Sequence, residues 1–145
     1  MFNKKKPVLA LIAASLISAA AVTAQAETVV VAGRSTAVEQ ITVNQLEDIW
    51  LRKKNSLPDG SPVSVVDQAV GSKIRDDFYE KVTHKSPTQV KAFWTRLIFT
   101  GKGSAPKTLR DDNEVKRWVS ENAGGLGYID KASLDDSVKV LLSLP

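Results

Sequence analysis

Residues 68–82 read QAVGSKIRDDFYEKV, and Gly71-Ser72-Lys73-Ile74-Arg75 within them is a local arrangement suited to holding an anion. The first backbone N–H groups of a helix lack internal partners, and the helix dipole favours negative charge there. A glycine lets a ligand approach the backbone, and a serine hydroxyl adds a donor. Lys73 and Arg75 supply positive charge. The same serine is also among the commonest helix N-caps, so residue type alone leaves two roles open for Ser72. Ser35 and Thr36 form a second candidate pair. They follow the first strand, and ligands bind α/β sheets at the C-terminal ends of parallel strands.

Catalytic constellations are absent from the sequence. The chain has one histidine, His84, in a connection between helices, and no cysteine to pair with it. The pairs Asp76-Asp77, Asp111-Asp112 and Asp135-Asp136 are adjacent in sequence. Neighbouring residues on a helix point in different directions, so capping and solvation account for them better than a shared metal or acid–base site. No zinc spacing, calcium loop, phosphate loop or dinucleotide fingerprint occurs. The reading is a non-enzymatic protein with no cofactor and no metal.

The elements that must position these residues follow from periodicity. Thr28 to Ala32 is a β-branched run closed by Gly33, which suits a strand covered on both faces. Thr42-Val43-Asn44-Gln45 is a capping box opening a helix that carries Leu46, Ile49 and Trp50. Pro58-Asp59-Gly60 is a turn, and Val63 to Val66 is a second strand. Ile74, Phe78 and Val82, four apart, give the helix after Ser72 one buried stripe. Ser86-Pro87-Thr88-Gln89 opens the next helix, with proline at its favoured first position. Val90, Phe93, Trp94, Leu97 and Ile98 lie on one face of it, and it stops at Thr100-Gly101.

A loop spans Lys102 to Lys107. Asp111 or Asp112 caps a helix with Val115, Trp118 and Val119, which Gly124-Gly125 ends. Leu126 to Ile129 is a third strand and Ser137 to Leu142 a fourth. Trp50, Trp94 and Trp118 all fall at helical spacing from other apolar residues and are assigned to the core. Alternating strands and helices predict a three-layer α/β domain on a mostly parallel or mixed sheet.

Composition narrows the setting. Lys4, Lys5 and Lys6 precede an apolar run from Pro7 to Val22, and Ala24-Gln25-Ala26 reads as a cleavage site. Residues 1–26 are expected to be a secretory signal peptide cut after Ala26, too short to span a bilayer. Residues 27–145 form a single domain that carries 17 Lys+Arg against 16 Asp+Glu, a net charge of +1. That near-neutrality does not point to nucleic acid or a membrane surface as partner. The expectation is an exported protein, periplasmic or secreted.

Four segments then carry a resemblance: ITVNQLEDIWLRKKNSLPDGSPV (41–63), DQAVGSKIRDDFYEKV (67–82), FWTRLIFTGKGSAPKTL (93–109) and GGLGYID (124–130). In order and spacing the chain resembles a small, single-lobe relative of the phosphate-binding proteins of ABC transporters. The resemblance implies one lobe of the type II periplasmic binding-protein fold, with phosphate or another oxyanion as ligand and a transporter as candidate partner. It places the anion contacts at Gly71, Ser72 and Lys73, with Arg75 as charge partner. The full-length family has Arg-x-Asp-Gly-Ser-Gly-Thr at the equivalent helix start. Against it stand Gln68, Ala69, Val70, Gly71, Ser72, Lys73 and Ile74, of which Gly71 and Ser72 match. Losing the arginine and the threonine hydroxyl removes two strong oxyanion contacts, so weak rather than transporter-grade binding is implied. The alternative reading is a protein-interaction or self-associating envelope module, whose open face is covered by another copy.

Overall fold

The computed structural model describes residues 26–145. The expected leader therefore lies, apart from Ala26, outside the described residues. Five strands and four α-helices alternate: β1 (Thr28–Gly33), α1 (Val43–Trp50), β2 (Ser64–Gln68), α2 (Lys73–Thr83), α3 (Pro87–Phe99), β3 (Lys107–Leu109), α4 (Asp112–Glu121), β4 (Gly125–Asp130) and β5 (Val138–Leu144), with a 3₁₀ turn at Lys131–Ser133. The strand β3 was not expected, and it begins at Lys107, where the expected loop from Lys102 ends. Three residues are too few to show a period; pairing with β2 and burial of Leu109 order them.

The sheet order is β3-β2-β4-β1-β5. Strand β2 runs parallel to both β3 and β4, whereas β1 runs antiparallel to both β4 and β5. Four strands therefore point one way and β1 alone is reversed, giving the mixed sheet expected. The apolar run of β1 reflects burial on both faces, which carries no information on strand direction.

Those two faces explain the layers. Val30 and Ala32 of β1 enter a cluster with Leu46, Trp50, Phe78 and Val90, from α1, α2 and α3. Val29 and Val31 point the other way, into a cluster with Val115 and Val119 of α4. Side chains alternate across a strand, so one run of valines anchors helices above and below. Each fully buried side chain of this size contributes about 1.5–3 kcal/mol. On β4, Gly127 is where α4 comes closest. A Cβ there would lie 2.5 Å from Val115 Cγ1, so a side chain would push the helix off the sheet.

Helix α3 departs from its expected stripe. Val90 and Trp94 are buried and Phe93 and Leu97 half-buried, but Ile98 is 53% exposed. Its C-terminal end is left uncovered, with Phe99 also 91% exposed. Of the expected core tryptophans, Trp50 and Trp94 are buried and Trp118 is partly buried against the α4 cluster.

Candidate anion-binding site

Strand β2 ends at Gln68, and four residues lead to the first turn of α2. Gly71 makes this turn possible. Its φ of +84° lies in the left-handed region where a Cβ is unfavourable. The Ser72 N–H donates to the Ala69 carbonyl at 3.0 Å, closing the turn, and the Asp76 N–H donates to the Ser72 carbonyl as the first bond of the helix. The Ser72 amide, expected to be an anion donor, is thus engaged. The amides of Lys73, Ile74 and Arg75 remain as the helix's free first-turn donors.

Ser72 occupies the N-cap position but its side chain caps nothing. The other three α-helices are capped through side chains, by Thr42, Ser86 and Asp111. The Ser72 hydroxyl is instead buried with no hydrogen-bond partner among the described residues. A buried hydroxyl left unpaired costs about 1–3 kcal/mol, so the position is not explained by local helix stability.

Arg75 lies in the first turn of α2. Its side chain is 11% exposed, and its Nε stands 3.6 Å from Asp67 Oδ2, too far for a hydrogen bond. Its guanidinium carbon lies 5.1 Å from the centre of the Tyr79 ring, a cation–π distance. Arg75 and Gly71 both line a cleft of about 500 Å3, bounded by the start of α2, by α3 and by the loop before β3. Lys73 is exposed and lines a separate hollow with Asp77 and Lys81.

Beneath the cleft lies a polar network that sequence reasoning missed. Asp67 is 1% exposed and accepts from the Tyr79 hydroxyl at 2.5 Å and the Tyr128 hydroxyl at 2.6 Å. The Tyr128 hydroxyl also accepts from the Gln68 N–H at 3.1 Å, and the Tyr79 hydroxyl from Trp94 Nε1 at 3.2 Å. Gln68 Nε2 donates to Asp112 Oδ1 at 2.6 Å and to the Tyr128 carbonyl at 2.9 Å. Stacking helps to aim Tyr128, whose ring lies 3.9 Å from that of Phe78 at an interplanar angle of 6°. Asp67 and Gln68 end a strand otherwise apolar in its middle, which was the available signal.

Burial raises the Asp67 carboxyl above the usual range. Hydrogen bonds from Tyr128 and Tyr79 and the charge of Arg75 oppose that rise without cancelling it. Trp50 adds the smallest opposing effect, and its buried indole N–H makes no hydrogen bond of proper geometry. Burial and then the Asp67 charge push both tyrosines far above their ordinary value, so the hydroxyls stay protonated donors. The arrangement holds Arg75 in place rather than offering Asp67 to a substrate.

The remaining candidates lie elsewhere. Gly33, at the end of β1, is next to the start of β4. Ser35 and Thr36 therefore sit at the opposite end of the sheet from Gly71 and Ser72, because β1 is the reversed strand. They do not join the cleft. Thr36 closes a turn with the Gly33 carbonyl, and its own carbonyl accepts from Lys139 Nζ. Asp111 rather than Asp112 caps α4, accepting from the Glu114 N–H at 2.9 Å. His84 ends α2 in the left-handed conformation and is exposed. Among the described residues, no cluster of three His, Cys, Asp or Glu side chains could hold a metal, and no helix is long and apolar enough to cross a membrane.

No protein-family model matches the sequence, and no curated protein matches it. Solved structures do. A protein from Clostridium perfringens described as a phosphate ABC transporter substrate-binding protein with bound phosphate superposes with a TM-score of 0.64 at 23% identity. An ABC-type phosphate transport receptor from Vibrio cholerae gives 0.63 at 19%, and PstS from Borrelia burgdorferi 0.59 at 12%. Each match covers 80% of this chain but only 45, 46 and 47% of the respective neighbour. The chain spans less than half the length of these proteins, and over that span it has the α/β fold of one lobe of the phosphate transport binding proteins.

Proposed function

We propose that this protein is an exported, non-enzymatic binding lobe that receives a small oxyanion at the entrance of α2. The observation that carries the reading is the unmade cap. α2 begins at the C-terminal end of β2 with its first-turn amides free, its N-cap hydroxyl unpartnered, and Arg75 held over the adjoining cleft. A negatively charged group there meets both the helix dipole and a fixed guanidinium. The Ser72 hydroxyl joins by rotating outward. One open lobe leaves water on the ligand's far side and screens the attraction, so binding is weak. The fold likeness to phosphate-binding proteins supports phosphate as the first ligand to try and an ABC transporter as candidate partner.

Isothermal titration of the exported form with phosphate and sulfate tests this. Saturable heat at millimolar ligand is expected, with Ser72→Ala about tenfold weaker, the loss of one hydrogen bond to a charged group. No heat at all, with the Ser72→Ala protein behaving identically, would retire the proposal. Mass measurement of the exported chain checks processing, expected after Ala26.

A second reading is favoured by one observation. Val70 and Ile98, which line the same cleft, are 77 and 53% exposed, and Phe99, next to Ile98 in sequence but in a separate hollow on α3, is 91% exposed. Such a patch suits self-association. Sedimentation velocity over a hundredfold concentration range decides it, since a monomer indifferent to concentration excludes a dimer through this face.

A further inference from the structure

The cleft beside α2 is larger and more apolar than an inorganic oxyanion requires. Its volume, about 500 Å3, falls among the small-molecule sites of roughly 300–1,000 Å3. Trp94, Ile98 and Pro106 line it, with Val70 at the rim. Trp94 is fixed in the core, its indole N–H donating to the Tyr79 hydroxyl. An ion of five heavy atoms at Arg75 would leave this apolar wall in contact with water.

Charge narrows the head group. Arg75 and Lys91 are the cations on the cleft wall, and Asp76 and Asp67 are the carboxylates. Arg75 is shared with Asp67 at 3.6 Å. Asp76, also on the cleft wall, repels added negative charge. A phosphate monoester carries about −1.5 to −2 at neutral pH, more than this set balances. A single negative charge fits better.

We infer that the cleft takes an organic monoanion with an apolar body, its carboxylate-type head at Arg75 and its tail along Trp94, Ile98 and Pro106. This rests on the α2 entrance being an oxyanion site and specifies the class of ligand it takes. Straight-chain carboxylates are the probes: acetate, butyrate, hexanoate and octanoate, titrated into the exported protein alongside inorganic phosphate. Affinity rises about two- to fourfold for each methylene that enters the cleft. Ile98→Ser flattens that dependence, and Lys91→Gln weakens all four carboxylates by a similar factor. Both residues are exposed, so neither change threatens folding. Phe99→Ser, outside the cleft lining, leaves the chain-length dependence unchanged.

Equal affinity for acetate and octanoate overturns the inference, as does phosphate binding more tightly than octanoate. Either result leaves the oxyanion reading standing. A chain-length dependence abolished by Phe99→Ser but kept in Ile98→Ser also overturns it, because the tail would then lie on the exposed patch. Failure of every anion, phosphate included, removes both readings together.

Discussion

Asp67 and Tyr79, twelve residues apart in sequence, meet with the Tyr79 hydroxyl 2.5 Å from Asp67 Oδ2. This contact ties the end of β2 to the second turn of α2. It also sets the position of Arg75, which faces the same carboxylate and overlies the same ring. The cleft therefore rests on a buried acid, and its behaviour depends on that acid's proton.

Burial raises the Asp67 carboxyl in the folded protein, so the native state binds this proton more tightly than the unfolded chain. The resulting stability is fully present below the unfolded value, about 3.9. It is lost as pH rises from there through the raised folded value. Asp67→Asn cannot ionise and lacks this decline. Urea unfolding of both proteins between pH 3.5 and 8 is expected to show the variant gaining relative to wild type as pH rises. Other groups, such as Asp135 held low by Lys116 and Ser137, act equally in both proteins and cancel. Parallel curves would contradict the assignment.

Removing either tyrosine hydroxyl strands a buried donor. Tyr128→Phe takes a bond from Asp67 and leaves the Gln68 N–H without its acceptor. Tyr79→Phe does the same to Trp94 Nε1. Each is expected to cost about 1–3 kcal/mol by chemical denaturation. The double variant should depart from the sum, since both hydroxyls serve one carboxylate. Losses under about 0.5 kcal/mol for both would mean the network is not formed in solution.

The helix starts give a contrast within one chain. Ser86→Ala removes the capping bond at 3.3 Å from the Gln89 N–H, while the reciprocal bond from the residue 86 N–H to Gln89 Oε1 stays, a loss of about 1 kcal/mol. Ser72→Ala removes a buried hydroxyl that bonds to nothing, so it is expected to be neutral or slightly stabilising. A Ser72→Ala protein destabilised as much as Ser86→Ala would show that Ser72 caps α2 after all.

Two glycines with positive φ separate backbone strain from steric overlap. Gly60, at +86°, has nothing near an added Cβ, and Gly60→Ala should cost about 1–2 kcal/mol. At Gly124, +73°, a Cβ would overlap the carbonyl oxygen of Pro62. Gly124→Ala should exceed Gly60→Ala in thermal unfolding by at least several degrees, about 1 kcal/mol or more in a domain of this size. Equal losses would mean that the approach of residue 62 to the start of β4 relaxes freely.

The helices were legible in the sequence because each signal was local. Thr42 with Gln45 and Ser86 with Gln89 formed the capping boxes their spacing indicates. The apolar stripes placed α1, α2 and α4. Helix α3 was legible as a helix but not as one with an uncovered end, since which part of an apolar stripe is covered depends on what packs against it. Of the candidate site, local pattern pointed only to Gly71, Ser72, Lys73 and Arg75. Asp67 and Tyr128 lie 61 residues apart, and no local pattern relates them.

By itself the sequence determined that strands buried on both faces alternate with amphipathic helices, because periodicity and capping act over a few residues. Tertiary structure alone decided that β1 runs against its neighbours. That reversal carries Ser35 and Thr36 away from the cleft and leaves the α2 entrance at the end where β2, β3 and β4 terminate together. Strand direction follows from which non-local hydrogen-bond ladders form, and a valine run buried on both sides is compatible with either direction.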